Sequence, residues 1–168
     1  MINKFLKIIL FLVLIDQFTK SLFLYLYPVS FHTPLYSFLY IFPVYNDDTV
    51  MGYIENPFGL AQNYKFLYTL VFLLLSLGSI WTIKKIEIMA SYGIKHTVVW
   101  ALAFICAAGL GNALDRFTRG AVVDFMYFKS TTLAFNFADI FAYIGIFISL
   151  GLCSYIFINY KRYNIVLY

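Results

Sequence analysis

Charged residues are scarce in this sequence: only 12% of its 168 residues are Asp, Glu, Lys or Arg. A soluble domain carries roughly a quarter, so an ordinary water-soluble protein with a charged surface is excluded. Hydrophobic residues instead reach 62% and aromatic residues 21%. The composition indicates an integral membrane protein with little mass outside the bilayer. Part of the aromatic excess is expected at the membrane interfaces, where amphipathic rings are favoured.

Cysteine and histidine are also rare, with two residues of each. Cys106 and Cys153 lie inside apolar runs, where small buried hydrophobic residues are expected. His32 and His96 stand alone. No Cys or His spacing is typical of a metal site, so the sequence predicts no bound metal.

Four apolar segments are each near the roughly 20 residues that a helix needs to cross a bilayer. We predict a single domain, 1–168, that is an all-α membrane protein with four transmembrane helices: 5–27, 64–83, 96–115 and 136–159. The first segment follows Lys4 and Lys7 in the manner of a signal peptide, but no small-residue cleavage site comes after it. It is therefore expected to remain as the first helix.

Basic residues indicate the orientation, because cytoplasmic loops carry an excess of Lys and Arg. Seven of them fall on the side of the termini: Lys4, Lys7, Lys84, Lys85, Lys95, Lys161 and Arg162. We expect both termini in the cytoplasm and the two longer connections, 28–63 and 116–135, outside. The net charge is +4, but the basic residues lie singly or in pairs beside apolar runs. This distribution argues against a nucleic-acid partner.

The first outer connection has two unusual parts. Residues 34–43, "PLYSFLYIFP", are apolar but too short to span the membrane, and they form either a strand or an interfacial helix on the outer leaflet. Residues 45–59, "YNDDTVMGYIENPFG", are rich in turn residues and predict strands joined by tight turns. We therefore expect a small extracytoplasmic β and loop subdomain with an interfacial segment between the first two helices.

Two charged residues lie inside the first span. An isolated charge at the centre of a bilayer costs about 2.5–3.5 kcal/mol on insertion scales, so it requires a partner or a function. Asp16 and Lys20 are four residues apart and share a helical face. They form a structural ion pair, or part of a functional site, and the two roles are compatible.

The third span ends in "GLGNALDR" (109–116), which combines small and polar residues. Its glycines allow close approach of another helix. Asn112 lies on the same face as Asp115 and Arg116. For Asp115 and Arg116 we predict a structural role, as a local pair at a polar helix end that emerges into water.

Asp124 and Asp139 have no basic residue three or four positions away, and Asn136 precedes Asp139 by three. If the connection 116–135 folds back onto the helix ends, the two carboxylates meet at the outer membrane boundary. The alternatives are that Asp139 only compensates a helix N-terminus and that Asp124 is an ordinary loop carboxylate. Spacing alone leaves these alternatives open.

Four motifs in order resemble those of the lipoprotein signal peptidases (signal peptidase II), which are four-helix intramembrane aspartyl proteases. They are "DQFTK" (16–20), "GNALDR" (111–116), "GAVVDF" (120–125) and "FNFAD" (135–139). A further segment, "NPFGLA" (56–61), is similar to the family's Asn-x-Gly-x-Ala segment with one additional residue before its glycine.

The resemblance implies that Asp124 and Asp139 are a catalytic dyad. Two close carboxylates share one proton, because they cannot both ionise easily. The ionised partner takes a proton from water and the neutral one hydrogen-bonds the scissile carbonyl, without a metal or cofactor. The resemblance places these further residues around the dyad or the substrate: Asp16, Lys20, Asn56, Gly59, Asn112, Asp115, Arg116 and Asn136. For Arg116 it leaves two roles, holding the loop of Asp124 or contacting lipid phosphate.

The implied substrate is a prolipoprotein whose cysteine carries diacylglycerol, cut just before that cysteine. The resemblance also implies a monomer in contact with membrane lipid, in the bacterial inner membrane, with its site near the outer leaflet. Inhibition by cyclic peptides of the globomycin type is expected on the same basis.

Two other functions remain to be weighed. A small transporter or proton channel could relay protons through Asp16, Asp115 and Asp139, but it would predict inverted repeats or broken helices, which the sequence does not show. A non-catalytic assembly subunit could use Gly109 and Gly111 as a packing face, but that leaves Asp124 and Asp139 without a role.

Overall fold

A computed structural model of the chain describes residues 1–27, 33–34, 39–46, 71, 74–75, 78–85, 92–128 and 134–163. The described part contains three long helices, α1 (Ile2–Leu26), α2 (Tyr92–Arg119) and α3 (Phe137–Tyr163). It also contains four strands, β1 (Thr33–Pro34), β2 (Leu39–Asn46), β3 (Val122–Phe128) and β4 (Ala134–Phe135).

Three helices are long and apolar enough to cross a membrane among the described residues, at Ile2–Leu26, Gly93–Arg119 and Phe137–Ile158. They agree with three of the four predicted spans. The remaining span, 64–83, lies partly outside the described residues, of which 71, 74–75 and 78–85 are helical. The count of four transmembrane helices therefore stays a prediction.

The predicted third span, approximately 96–115, lies within a longer helix. Helix α2 continues to Arg119, because Arg119 forms an ion pair with Asp115 one turn earlier and such pairs stabilise a helix. Gly120 follows with a φ of 80°. This left-handed conformation suits glycine and ends the helix.

An antiparallel sheet in the order β1-β2-β3-β4 joins the two predicted outer connections. The register pairs Val44 with Asp124 and Asn46 with Val122. A register shift lies between Ile41 and Val44, at Pro43, which has no N–H to donate to a ladder. The question of strand or interfacial helix is thus answered for the described residues of 34–43, which are strand. Most of the turn-rich segment, 47–59, lies outside the described residues.

Helices α1 and α2 pack through a stripe of buried residues on α1 against small residues of α2. Buried positions on α1 recur every three or four residues, so they form one face: Phe5, Ile8, Ile9, Leu12, Asp16 and Lys20. Facing them, Ala103, Ala107 and Ala108 of α2 belong to the same core. Small side chains let helix backbones approach closely within a membrane. The apolar half of this stripe forms the core, and its polar end lies beside the candidate site.

Candidate active site

Asp124 lies in the middle of β3, with a side chain that is only 2% exposed. Its two oxygens accept hydrogen bonds from different amides. Asn46 Nδ2 donates to Asp124 Oδ2 over 3.0 Å, and Asn136 Nδ2 donates to Asp124 Oδ1 over 2.6 Å. The strand thus holds a buried carboxylate between two neutral side chains.

Asp139 lies in the first turn of α3, and Asn136 precedes the helix. The backbone N–H of Asn136 donates to Asp139 Oδ2 over 3.0 Å, and the backbone N–H of Asp139 donates to Asn136 Oδ1 over 3.1 Å. This reciprocal pair is a capping box. Asn112 Nδ2 donates to the remaining oxygen, Asp139 Oδ1, over 3.1 Å.

Asn136 connects the two carboxylates, since the same residue bonds Asp124 through its amide and Asp139 through its backbone and cap. Its Nδ2 also donates to Asn112 Oδ1 over 3.2 Å. The two aspartates therefore meet around one pair of asparagines, where the connection after α2 folds back onto the start of α3.

Burial raises the pKa of Asp124 above its ordinary value. The nearby charge of Asp139 raises this pKa further, whereas the hydrogen bonds from Asn46 and Asn136 oppose the increase, because they stabilise the ionised form. Asp124 consequently holds a proton to higher pH than an exposed aspartate does.

A buried ion cluster contacts the residues next to the two aspartates. Lys20 Nζ is 2.8 Å from Asp16 Oδ2 and 2.8 Å from Asp115 Oδ2, and all three side chains are fully buried. Lys20 Nζ also donates to Asn112 Oδ1 over 2.9 Å. The predicted Asp16–Lys20 ion pair is therefore present. The prediction of a helix end emerging into water is wrong for Asp115, which is buried and pairs with Lys20 and Arg119.

The sequence of the chain matches the family described as Signal peptidase (SPase) II over residues 8–156. This match covers most of the chain and all of the motifs quoted above. The chain belongs to this family.

Individual members of the signal peptidase II family support the same assignment. The chain is 30% identical over 142 residues to the lipoprotein signal peptidase of Caldanaerobacter subterraneus subsp. tengcongensis, covering 82% of this chain and 87% of the relative. It is 33% identical over 154 residues to the lipoprotein signal peptidase of Chlamydia pneumoniae, covering 83% and 84%. The chain is accordingly a bacterial membrane protein with the protease function of lipoprotein signal peptidases.

Two solved structures share the fold. A bacterial membrane enzyme determined by the in meso method at 2.3 Å resolution superposes with a TM-score of 0.74 at 21% identity, over 95% of this chain and 92% of that chain. A second such structure, at 1.9 Å resolution, gives a TM-score of 0.70 over 89% and 92%.

Three residues whose side chains make polar contacts near the two aspartates or in the ion cluster escaped the sequence reasoning. Asn46 donates a hydrogen bond to Asp124 from another strand. No local pattern in the sequence predicts a contact between residues 78 positions apart. Gln17 donates to Asp16, Asp115 and the carbonyl of Gly111. Arg119 donates to Gln17 Oε1 and to Asp115. The last contact has a signal in the sequence, because Arg119 follows Asp115 by one helical turn.

The remaining predicted site residues are placed as follows. Arg116 Nη1 donates to the carbonyl of Asn112 over 3.3 Å, and its roles toward the loop or lipid phosphate stay predictions. Asn56 and Gly59 lie outside the described residues. Their part in the site also stays a prediction.

Proposed function

We propose that this protein is an intramembrane aspartyl endopeptidase that removes the signal peptide from diacylglyceryl-modified prolipoproteins, cutting just before the lipidated cysteine. The observation that carries the proposal is the pair of carboxylates, Asp124 and Asp139, held around the single side chain of Asn136. Two carboxylates that share one proton supply both an acid and a base to one peptide bond.

Asp124 is the proton carrier in the proposed mechanism and Asp139 is the base. Burial raises the pKa of Asp124, so Asp124 carries the shared proton and Asp139 is left to act as the base. Asp139 takes a proton from water as the water oxygen attacks the scissile carbonyl. Asp124 donates its hydrogen bond to the carbonyl oxygen and stabilises the negative charge that develops there. The C–N bond then breaks, and the proton on Asp139 passes to the leaving nitrogen.

Neutral amides are suited to hold such a pair. Asn46, Asn112 and Asn136 each donate to one of the two carboxylates. An amide orients a carboxylate without adding a positive charge that would favour ionisation of both partners. The nearby ammonium of Lys20 is paired with two other carboxylates. It lowers the pKa of Asp124, but burial raises this pKa by more, so the dyad keeps its shared proton.

The proposed site faces the outer leaflet. Asp139 is in the first turn of α3, and Asp124 follows the end of α2 within five residues. Both therefore lie at the helix ends opposite to Lys4 and Lys95, which the excess of basic residues assigns to the cytoplasm. A reporter enzyme that is active only after export should stay inactive when fused behind Tyr168. Activity of that fusion would reverse the orientation.

The test uses purified protein in detergent with a precursor that carries diacylglycerol on its cysteine. We expect release of the signal peptide, with the lipidated cysteine as the new N-terminus by mass spectrometry. Asp124→Asn and Asp139→Asn should each abolish cleavage while the melting temperature stays close to that of the unchanged protein. The same precursor without lipid is the matched substrate control and should remain intact. Full activity of either variant would overturn the dyad.

Globomycin-type cyclic peptides are proposed to inhibit this cleavage, and the active form is proposed to be a monomer. Inhibition is measured in the same assay, and light scattering of the purified, active protein in detergent gives its mass. A protein that is active only as a dimer would contradict the second statement.

A further inference from the structure

The ammonium of Lys20 is shared equally by two buried carboxylates from two different helices. Its Nζ lies 2.8 Å from Asp16 on α1 and 2.8 Å from Asp115 on α2. All three side chains have no exposed surface, so the attraction is weakly screened by solvent. This single cation therefore fixes the distance between two carboxylates that would otherwise repel each other.

Each of these carboxylates also holds the backbone beside one member of the dyad. Asp16 Oδ1 accepts the backbone N–H of Ala138 over 3.0 Å, and Ala138 immediately precedes Asp139. Asp115 Oδ2 accepts the backbone N–H of Val123 over 3.2 Å, and Val123 immediately precedes Asp124. The two arrangements are equivalent, although one lies at a helix start and the other in a strand.

Lys20 makes a third contact that reaches the dyad through a side chain. A lysine ammonium only donates hydrogen bonds, so the atom of Asn112 that faces it at 2.9 Å must be the oxygen. The amide group of Asn112 is thereby turned with its Nδ2 toward Asp139, to which it donates over 3.1 Å.

We propose that Lys20 is a positioning residue for the Asp124 and Asp139 pair, setting the separation of the two carboxylates through Asp16, Asp115 and the amide of Asn112. The proposal rests on the proposed function, because it concerns the geometry of that dyad. Lys20 touches neither substrate nor reacting atoms in this role. The cluster holds equal numbers of opposite charges once Arg119 joins Asp115, so its contribution is to distance rather than to net charge.

The direct test replaces Lys20 by the uncharged residue of similar length, Lys20→Met. Without the Lys20 ammonium, Asp16 and Asp115 are no longer held together, so the catalytic carboxylates can separate. Misplacement of reacting groups by about 1 Å can cost about 100-fold in rate. We expect kcat to fall by about 100-fold with KM within about threefold. The pH range over which kcat is high should narrow, because the pair keeps one shared proton over a smaller range when its coupling weakens.

A second variant guards against misfolding. Lys20→Met alone leaves Asp16 buried without an ionic partner and Asp115 with Arg119 as its partner, and a buried charge that loses its partner is strongly destabilising. The triple variant Asp16→Asn/Lys20→Met/Asp115→Asn removes all three charges, and each new amide oxygen can still accept its backbone N–H. Nothing then ties the two anchors together, so the triple variant should show the same narrowed pH range and lowered kcat.

Arg119→Met is the matched control. Arg119 belongs to the same cluster through Asp115, and it donates hydrogen bonds to Asp115, Gln17 and Ser21 rather than contacting the backbone next to the dyad. This variant should lower the melting temperature while the shape of the pH profile and KM stay unchanged. A purely structural cluster would lower the melting temperature in all variants and alter the pH profile in none.

The two proposals fail separately. If the unchanged protein releases no signal peptide, the proposed function is overturned. If the unchanged protein cleaves and Asp139→Asn does not, the function stands. An unaltered pH profile and kcat in Lys20→Met or in the triple variant would then overturn the role of Lys20 alone.

Discussion

The side chain of Asn46 donates a hydrogen bond from Nδ2 to Oδ2 of Asp124 over 3.0 Å, from a residue 78 positions earlier in the chain. The sheet makes this contact possible, because β2 and β3 pair with Val44 opposite Asp124. Side chains two residues apart on a strand point to the same face, so Asn46 is the diagonal neighbour of Asp124. The contact stabilises the ionised form of Asp124 and opposes the effect of burial on its pKa.

Asn46→Ala should move the loss of activity at alkaline pH to higher pH. Removing a donor to the ionised form favours the protonated form, so the pKa of Asp124 rises further. The mechanism requires Asp124 protonated, so the enzyme remains active to higher pH than the unchanged protein. The measurement is kcat against pH with the lipidated precursor. Asn3→Ala, at an exposed asparagine of α1, is the matched control, and an alkaline limit that stays in place or falls would contradict the assignment.

Asn136→Ser should separate the helix cap from the site. Serine is a good N-cap, so the start of α3 should persist and the melting temperature should change little. The bond from Nδ2 to Asp124 disappears, however. Asp124 is protonated in the proposed mechanism, and a hydrogen bond between neutral groups contributes about 0.5–1.5 kcal/mol, so we expect a loss of about 2- to 10-fold in kcat. Asn136→Ala removes the cap as well and should lower both stability and rate; unchanged kcat in Asn136→Ser would remove the amide from the mechanism.

Gly111→Ala should disrupt the ion cluster directly. A Cβ at this position would lie 2.6 Å from Asp16 Oδ2 and 3.4 Å from the Cβ of Ala138. The carboxylate of Asp16 would have to shift. This shift would disturb both its ion pair with Lys20 and the hydrogen bond that it accepts from the backbone N–H of Ala138. Overpacking of this kind costs about 1–3 kcal/mol. We expect a lower melting temperature in detergent together with a large loss of cleavage activity.

Two other glycines serve as controls for that experiment. Gly145→Ala would bring a Cβ to 2.7 Å from Ile105 and 2.9 Å from the carbonyl of Ala101, so it should destabilise the α2 and α3 contact without touching the cluster. Gly151→Ala meets nothing within 4 Å and should be neutral. We expect Gly111→Ala to lose more activity than Gly145→Ala for the same drop in melting temperature. If the two variants lose the same activity for the same drop, packing alone explains the effect of Gly111→Ala.

The helices were predictable from the sequence because the bilayer demands long apolar runs, and α1 and α3 begin and end close to the predicted limits. The end of α2 was not predictable in this way. Hydropathy falls at Arg116, but the ion pair of Asp115 and Arg119 extends the helix beyond that point. The sheet was even harder to predict from the sequence. Its strands are short, and the pairing of β2 with β3 joins segments separated by the second and third predicted spans.

The aspartates of the site were predictable from their polar character in an apolar context and from the motifs, but their surroundings were not. Burial of Asp115 depends on Lys20 arriving from another helix, which a single-helix pattern does not show. The same cluster weakens the alternative of a proton relay through Asp16 and Asp115. Both carboxylates share a buried ammonium and hold backbone N–H groups, which suits a fixed anchor better than a group that exchanges protons.

Phe125→Ala should loosen the strand that carries Asp124. Phe125 is 1% exposed, stacks on Phe23 with ring centroids 4.4 Å apart, and meets Phe137 edge-on at 5.7 Å. Truncating a buried phenylalanine to alanine typically costs about 3–5 kcal/mol, and here the loss falls on contacts that join β3 to α1 and α3. We expect a clear drop in melting temperature and a fall in kcat. Phe117→Ala removes a ring that is 71% exposed and should shift stability by no more than about 0.5 kcal/mol, so equal effects of the two substitutions would contradict the anchoring of β3 by Phe125.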